Sequence, residues 1–308
     1  MSAYNSSDSI ERAISSILDQ TFSDFELIIL DDGSTDNTVE VIHSFSDKRI
    51  KLFQLEHAGL PTALNYGISQ ANGEIIVRHD SDDWSSSDRF ARQVKCLEDD
   101  SELDLVASWH NVVDSDGTHF GLKQTATDDA ALKKMLVRRS PFCHGAVAVR
   151  KSALERVGGY DVAMLYSQDY DLWLRMATEG MKFACIPKPL YNYSITPESI
   201  AKGWYKMANA EAIRRNALQP GHLRNYSVSG VPVISKRRTA SLWNYAIGSI
   251  SLDDGQRGKA AKYFSRSFAG DPFFWQALVK LGIAMVPMSL ANLIIRKIKS
   301  RQESTRST

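Results

Sequence analysis

The stretch that decides the fold is FELIILDDGSTD, residues 25–36. Its first six residues are apolar apart from Glu26, which is typical of a strand buried on both faces, and the Asp-Asp-Gly-Ser that follows is typical of a turn. Helical periodicity precedes the strand at residues 10–18 and resumes after Asp36. A buried strand between two helices predicts βα units with right-handed crossovers and a parallel sheet.

The alternation of strands and helices continues along the chain. Further strands are predicted at 50–54, 74–78 and 103–109, with a helix that has Pro61 in its first turn and another at about 87–97. The predicted fold class is therefore α/β, a mostly parallel central sheet with flanking helices. Ligands of such sheets bind beyond the carboxyl ends of the strands.

Acidic residues follow two of these predicted strands. The segment Asp80-Ser81-Asp82-Asp83 places three carboxylates within four residues, and they repel one another unless water or a cation surrounds them. Mg²⁺ is usually held by one or two carboxylates plus substrate phosphates, so the segment predicts a metal–diphosphate site, with a solvated turn as the alternative. For Asp31 and Asp32, a capping role in the turn and a ligand-binding role both stay open.

A third acidic segment is Gln168–Arg175, QDYDLWLR, which is predicted to begin a helix. Asp169 or Asp171 would then be either a cap that favours the positive end of that helix or a general base. The spacing alone does not choose between these two roles.

Composition narrows the class of protein. The 308 residues carry 37 Lys and Arg against 36 Asp and Glu, so no overall charge favours nucleic acid as a partner. The three cysteines are far apart and form no CxxC pair, which gives no indication of a disulfide framework or a zinc site. With no signal peptide in the sequence, a reducing, cytoplasmic location is expected.

The last third of the chain follows a different pattern. Beyond about residue 200 the alternation stops and helices are predicted, so we expect one domain at 1–200 and a helical region at 201–308. Within that region, Gly248, Ala260, Phe264 and Pro272 have offsets similar to those of one tetratricopeptide-like helix pair, with a plain helical hairpin as the alternative.

An apolar segment lies near the end of the chain. Residues 277–295 contain Lys280, Ser289 and Asn292 as their polar residues and Pro287 in the middle, and basic residues follow at 296–301. A spanning helix needs about 20 largely apolar residues, and a basic flank suits anionic headgroups. The segment predicts peripheral contact with a membrane; a spanning helix and a soluble helix are the alternatives.

Five motifs in order resemble those of the family 2 glycosyltransferases, inverting enzymes with the GT-A fold. The resemblance covers about residues 1–200. The motifs are SAYN at 2–5, the segment 16–36, the segment 59–83, the pieces CHGA, RK and VGGYD within 143–161, and QDYDLWLR at 168–175.

The resemblance implies a role for each matching residue. Asp169 matches the catalytic base, and Asp82 and Asp83 match the residues that hold Mn²⁺ or Mg²⁺ on the diphosphate. Residues on the acceptor side would be His144, Gly158, Gly159 and Tyr160. Residues that bind the nucleotide would be Ala3, Tyr4, Asn5, Asp31, Asp32, Gly59, Asn65 and Asp82.

Two positions depart from the family pattern. Gln168 stands where the family has Glu, which removes a second negative charge beside the base. The part of the family's first strand that precedes Met1 is expected to be missing, and its loss would weaken the affinity for the nucleotide.

The function implied is that of a metal-dependent hexosyltransferase. It would move a sugar from a nucleoside-diphosphate sugar to a saccharide or lipid-linked acceptor, in surface polysaccharide biosynthesis, in the cytoplasm or at the inner face of the membrane. The alternatives are a degenerate sugar-nucleotide-binding scaffold and an aspartate-based phosphotransferase. An aspartate-based phosphotransferase would require Thr two residues after its second Asp, whereas Trp84 and Ser85 follow Asp83 in this sequence.

Overall fold

The computed structural model describes residues 1–164, 166–197, 199, 236–270 and 275–285. These residues belong to two compact units, and the described part of the first is residues 1–194. The predicted α/β class is confirmed in that unit. A boundary near residue 200 stays a prediction, because residues 200–235 lie outside the described residues.

The first unit follows the predicted order of elements. Its strands are β1 Ser2–Ala3, β2 Leu27–Asp31, β3 Ile50–Gln54, β4 Ile75–Val77, β5 Trp84–Ser85, β6 Leu103–Val113, β7 His119–Lys123, β8 Val147–Arg150 and β9 Lys182–Ser194. Its helices are α1 Ile10–Leu18, α2 Thr38–His43, α3 Leu60–Gln70, α4 Arg89–Asp99, α5 Asp129–Leu136, α6 Lys151–Arg156 and α7 Gln168–Thr178, with a short 3₁₀ helix at His144–Ala146.

Within the described residues these strands form two sheets. The first has the order β1-β2-β3 and is parallel throughout, as the sequence predicts. The second has the order β4-β8-β6-β9-β5, with β7 paired to β6, and it is mixed: β6 and β9 are parallel, and the other pairs are antiparallel. The β6–β7 connection is a hairpin, which joins antiparallel strands without a crossover helix.

Three apolar clusters among the described residues of this unit support these sheets, and two of them are described here. In the first, Ile29 of β2 packs with the apolar face of α1, including Ile10, Ile14 and Ile17. In the second, Trp173 of α7 packs against strands of the mixed sheet. The two sheets approach each other at the end of β1, where Ser2 forms an isolated parallel bridge with Asp80. The acidic segments that follow β2 and β4 therefore meet at one edge of the fold.

The described part of the second unit is helical, as predicted. Its helices are α8 Lys236–Asp253, α9 Arg257–Gly270 and α10 Trp275–Met285. Gly248 lets α9 come close, because a Cβ at that position would lie 2.8 Å from the Phe264 ring. The tetratricopeptide-like character of this pair stays a prediction, since Pro272 lies outside the described residues.

The apolar segment 277–295 is only partly described. Its first part belongs to α10, and residues 286–295 lie outside the described residues. Among the described helices, none combines the length and apolar character needed to cross a bilayer.

Candidate functional site

Asp83 lies at the centre of the site and is fully buried. Its Oδ1 accepts a hydrogen bond from the Ser194 amide at 2.6 Å, whereas Oδ2 is buried and accepts no hydrogen bond of standard geometry from the described residues. Burial, helped by the charges of Asp82 and Asp80, raises the pKa of Asp83 well above its usual range. A buried carboxylate oxygen whose hydrogen bonding is incomplete is a feature that a divalent cation would satisfy.

The carboxylates of this segment differ in their surroundings. Asp80 is paired with the buried Arg78 at 2.5 Å. Although burial alone would raise the pKa of Asp80, the Arg78 charge lowers it to about 2. Asp82 is exposed beside the buried Asp83. In the part of the chain that the structure describes, no three His, Cys, Asp or Glu side chains converge to hold a metal ion, so a cation here would need ligands from substrate phosphate or water.

Tyr191 of β9 supports the acidic segment, and no sequence motif indicates this role. Its hydroxyl accepts a hydrogen bond from the Asp80 amide at 3.1 Å, and its hydrogen bonding opposes the rise in the pKa of Asp83. A Cβ at position 145 would overlap this hydroxyl, so Gly145 leaves the room it needs. No local signal marks Tyr191, because its hydrogen-bond partner Asp80 lies 111 residues away in the sequence.

Arg89 of α4 is a second supporting residue whose role no sequence motif indicates. It is fully buried, and its guanidinium lies 4.7 Å from the centre of the Tyr191 ring. It donates to the side chains of Gln93 and Ser85 and to the carbonyl oxygen of Arg78. Burial lowers its pKa to about 10. Arg89 thereby ties α4 to the end of β4, just before the acidic segment begins.

The carboxylates that follow β2 hold loops in place. Asp32 accepts hydrogen bonds from the amides of Ala58 and Gly59, at 2.9 and 3.0 Å, and its Oδ2 lies 3.0 Å from His57 Nδ1. Asp31 accepts from the Ser34 amide at 3.3 Å. Both carboxylates therefore fix backbone amides of neighbouring loops, and their predicted contact with a nucleotide stays a prediction.

The residues after β1 lie beside this loop. Ala3 is buried in β1, and Tyr4, which is 46% exposed, stacks on His57 with a ring separation of 4.3 Å. The Asn5 side chain accepts a hydrogen bond from the Thr35 amide at 2.8 Å. The structure thus brings together the residues predicted at the nucleotide from β1 and β2, with Gly59 at the start of α3.

A hydrogen bond joins this group to the acidic segment. The hydroxyls of Ser6 and Ser81 are 2.9 Å apart. The residues predicted to bind the nucleotide and those predicted to hold the metal therefore form one contiguous group.

Asn65 connects α3 to the predicted acceptor side. Its side chain makes two hydrogen bonds of 2.8 Å with the backbone of Tyr160, one to the carbonyl and one from the amide. Gly158 and Gly159 both have left-handed φ angles, of 76° and 70°, and a Cβ on Gly159 would lie 2.5 Å from the Asn65 oxygen. The described role of Asn65 is thus to position this turn; contact with a nucleotide stays a prediction.

Tyr160 lies beside His144, and the charge of the predicted base acts on its hydroxyl. Its hydroxyl lies 2.8 Å from His144 Nε2. Burial raises the pKa of Tyr160, the Arg78 charge opposes this rise, and the charge of Asp169 adds to it. The charges of Arg78, Asp80 and Asp169 therefore all act on the Tyr160 hydroxyl.

The two aspartates in the first turn of α7 have different surroundings. Asp171 is buried and forms an ion pair of 2.8 Å with Arg175, which also donates to the Val157 carbonyl. Asp169 is only half-buried, next to the buried Gln168. The ion pair gives Asp171 a structural role, and the partial exposure of Asp169 suits a group that must meet a substrate.

Comparisons with known proteins agree with this geometry. Residues 1–158 match the model of Glycosyl transferase family 2. The Bacillus subtilis (strain 168) protein EpsE, named as a glycosyltransferase, is 30% identical over 256 residues, which are 79% of this chain and 90% of the relative. The Escherichia coli UDP-Gal:alpha-D-GlcNAc-diphosphoundecaprenol beta-1,3-galactosyltransferase is 32% identical over 206 residues, 66% of this chain and 74% of the relative.

The solved structures show the same fold. The mannosyltransferase PcManGT from Pyrobaculum calidifontis, in complex with GDP-Man and Mn²⁺, has a TM-score of 0.56 at 18% identity, with 97% of this chain and 78% of that chain covered. The fold is GT-A, as the sequence motifs imply. The chain belongs to glycosyl transferase family 2.

Proposed function

We propose that this protein is an inverting glycosyltransferase that moves a hexose from a nucleoside-diphosphate sugar to a hydroxyl group of its acceptor. The observation that carries the proposal is the buried Asp83 carboxylate, which has one oxygen without a standard hydrogen bond and lies beside the exposed Asp82. A buried, incompletely hydrogen-bonded carboxylate lowers the stability of the folded protein unless a ligand binds to it. Such a group is therefore typical of a ligand-binding site.

Asp82 and Asp83 would hold Mg²⁺ or Mn²⁺ against the diphosphate. When bound, the cation supplies Lewis-acid stabilisation of the negative charge that develops on the leaving diphosphate. The Mn²⁺ and GDP-Man in the structure of the Pyrobaculum relative support this assignment. The nucleoside would lie beside the group formed by Ala3, Tyr4, Asn5 and the Asp31-Asp32 turn.

Asp169 would act as the general base. The acceptor oxygen attacks the anomeric carbon as the bond from that carbon to the diphosphate oxygen breaks, and the hydroxyl proton passes to the Asp169 carboxylate. One displacement inverts the configuration, and proton removal of this kind typically contributes roughly 10²–10⁴-fold to the rate. Asp169 lies in the first turn of α7, on a different element from the metal segment, and its half-buried side chain suits a base that must meet the acceptor.

The acceptor would lie against His144, Tyr160 and the Gly158-Gly159 turn. A lipid-linked acceptor in surface polysaccharide biosynthesis is supported by the diphosphoundecaprenol substrate named for the E. coli relative. Peripheral contact with the inner face of the membrane, predicted from the apolar segment 277–295 and its basic flank, would bring the protein close to such an acceptor.

The test is a transfer assay. The protein is incubated with Mn²⁺, a panel of UDP- and GDP-hexoses labelled at the anomeric carbon and a set of saccharide and polyprenyl-diphosphate-linked acceptors. NMR then gives the anomeric configuration of the product. We expect that nucleoside diphosphate is released only when an acceptor is present and that the anomeric configuration of the transferred sugar is inverted. Retention of configuration would contradict the mechanism, and donor binding without any transfer would favour a sugar-nucleotide-binding scaffold.

A further inference from the structure

The segment that leads into the predicted acceptor side carries an excess of positive charge. Between Asp129 and Glu155 the sequence has no acidic residue and six basic ones, in a chain whose basic and acidic residues nearly balance. An excess of this kind attracts an anion wherever the side chains are exposed to solvent. The six basic residues are Lys133, Lys134, Arg138, Arg139, Arg150 and Lys151.

Three of these six cations hold parts of the fold together. Lys133 forms an ion pair of 2.8 Å with Asp129. The side chains of Arg150 and Lys151 donate hydrogen bonds to backbone carbonyl oxygens, at 2.8 and 2.7 Å. All three are only partly exposed, whereas the other three cations of the segment are exposed. The exposed ones are Lys134, Arg138 and Arg139.

The two exposed arginines lie in a turn that directly follows α5. We call Val137, Arg138 and Arg139 the basic turn. The backbone amides of both arginines donate to the Met135 carbonyl, at 2.9 and 3.0 Å, which closes the turn. Val137 is 51% exposed, so an apolar side chain stands on the surface beside two charged ones. The basic turn therefore offers both a positive and an apolar contact to a ligand.

Two contacts hold the basic turn against α7, the helix that carries Asp169. Before the turn, the Leu136 carbonyl accepts a hydrogen bond of 2.7 Å from the Tyr170 hydroxyl. After the turn, the Phe142 ring packs edge-on against Trp173, with the ring centres 6.0 Å apart. Tyr170 and Trp173 are both buried and lie three residues apart, on one face of α7. The basic turn is thus anchored on both sides to the first two turns of this helix.

These anchors connect the basic turn to the proposed acceptor site in two ways. Through α7, the turn is held by Tyr170, the residue next to Asp169. Along the chain, His144 follows Arg139 by five residues, and its Nε2 lies 2.8 Å from the Tyr160 hydroxyl. In an acceptor that has one sugar on a lipid diphosphate, the phosphates are a single sugar ring away from the attacking hydroxyl. Such a diphosphate would meet the basic turn while the hydroxyl meets the base.

We propose that the basic turn binds the diphosphate of a lipid-linked acceptor, with Arg138 and Arg139 on the phosphate oxygens and Val137 against the first carbons of the lipid chain. Guanidinium groups suit this task because their N–H donors match phosphate oxygens in pairs. The exposed valine suits a ligand that is anionic at one end and apolar at the other. The inference rests on the proposed transferase function, for which it names the charged part of the acceptor.

The first experiment measures the binding of farnesyl diphosphate, a soluble probe with both parts of such a ligand, to the full chain by calorimetry. Divalent cations are left out, so that the predicted metal site does not hold the probe. Arg138→Gln/Arg139→Gln removes two exposed charges from the basic turn. Arg92→Gln/Lys95→Gln removes two exposed charges from α4 and is the matched control. Val137→Ser and inorganic diphosphate separate the apolar contact from the charged one.

We expect Arg138→Gln/Arg139→Gln to bind farnesyl diphosphate at least about tenfold more weakly than the parent, and the α4 control to stay within about twofold. Val137→Ser should weaken the binding of farnesyl diphosphate but not that of inorganic diphosphate. Equal affinities of the parent and the double arginine variant, or no binding by the parent, would overturn the proposal. A loss seen only with vesicles of phosphatidylglycerol, tested in parallel, would assign the basic turn to the membrane surface and overturn it as well.

A transfer assay separates this proposal from the proposed function. The parent and the variants are offered a sugar linked to a polyprenyl diphosphate and an alkyl glycoside of the same sugar, which has no phosphate. The ratio of kcat/KM for the phosphorylated acceptor to that for the glycoside should fall at least about tenfold in Arg138→Gln/Arg139→Gln, and an unchanged ratio would overturn the proposal. If the parent transfers sugar to neither acceptor, the proposed function fails, and the binding of farnesyl diphosphate still decides the role of the basic turn.

Discussion

A methyl group on Gly145 would overlap the hydroxyl of Tyr191. That hydroxyl accepts the hydrogen bond of the Asp80 amide and acts on the Asp83 carboxylate, so the space left by one glycine controls the position of the acidic segment. The ring itself is held by Arg89, which lies over it. Tyr191 is thus a positioning residue for the predicted metal ligands.

Replacing Tyr191 with Phe tests this role. The loss of a buried hydrogen bond is expected to lower the free energy of unfolding by about 1–2 kcal/mol and to raise the Mn²⁺ concentration needed for half-maximal activity roughly tenfold. Tyr66→Phe, on the more exposed side of α3, is the control for removing a hydroxyl. An unchanged Mn²⁺ requirement in Tyr191→Phe would show that Tyr191 serves stability alone.

Asp83→Asn is expected to separate stability from binding. Burial raises the pKa of Asp83, so the ionised carboxylate opposes folding at any pH above its unfolded pKa of about 3.9. The neutral amide keeps an oxygen for the Ser194 hydrogen bond, so without metal the variant should be as stable as the parent, or more stable by about 1 kcal/mol.

The measurement is denaturant unfolding with and without Mn²⁺ and nucleoside diphosphate. The stabilisation by ligand should disappear in Asp83→Asn. A large loss of stability in the absence of ligand would mean that Asp83 is a structural residue.

Asp169→Asn tests the base. The rate of transfer is expected to fall roughly 10²–10⁴-fold, while donor binding, measured by calorimetry, stays within about twofold. Glu179→Gln removes an exposed carboxylate at the other end of α7 and serves as the control for charge. A fall of less than about threefold in Asp169→Asn would assign the base to another group.

Two glycines give a matched pair for the acceptor-side turn. Gly159 and Gly180 have similar left-handed φ angles, of 70° and 75°, so Ala at either position should cost about 1 kcal/mol in backbone strain. A Cβ on Gly159 also meets the Asn65 oxygen, whereas Gly180 has open space. Gly159→Ala should therefore reduce the transfer activity at least tenfold at unchanged donor affinity. Gly180→Ala should leave the activity unchanged. Equal activities of the two variants would show that the turn at Gly158 and Gly159 does not contribute to the site.

The sequence predicts the strand–helix order of the first unit because buried strands and amphipathic helices have strong local signals. The run ending at Asp31 and the strand at 50–54 are found within two residues of their expected places. The mixed second sheet is harder to predict, since β8 and β9 pair with strands far away in sequence. The roles of Tyr191 and Arg89 at the site could not be predicted for the same reason. Each residue supports the acidic segment through contacts that form only when the chain folds.

For the site, sequence motifs locate the carboxylates but do not distinguish their roles. Asp80 and Asp83 lie three residues apart in one motif, yet Arg78 neutralises one, and burial raises the pKa of the other. Similarly, Asp32 and Asn65 match family positions, and the structure shows that each already holds a backbone segment. These differences in role depend on how deeply each side chain is buried and on its contact partners, and the spacing of residues in a motif does not determine either.

The predicted metal–diphosphate site is tested by thermal unfolding with UDP, GDP, CDP and ADP, each with and without Mn²⁺. A ligand that binds only the folded state raises the midpoint by mass action. We expect a Mn²⁺-dependent rise in the midpoint for one or two of these diphosphates, which is lost in Asp83→Asn and kept in Asp169→Asn. A rise that needs no divalent cation and survives Asp83→Asn would contradict the metal–diphosphate site.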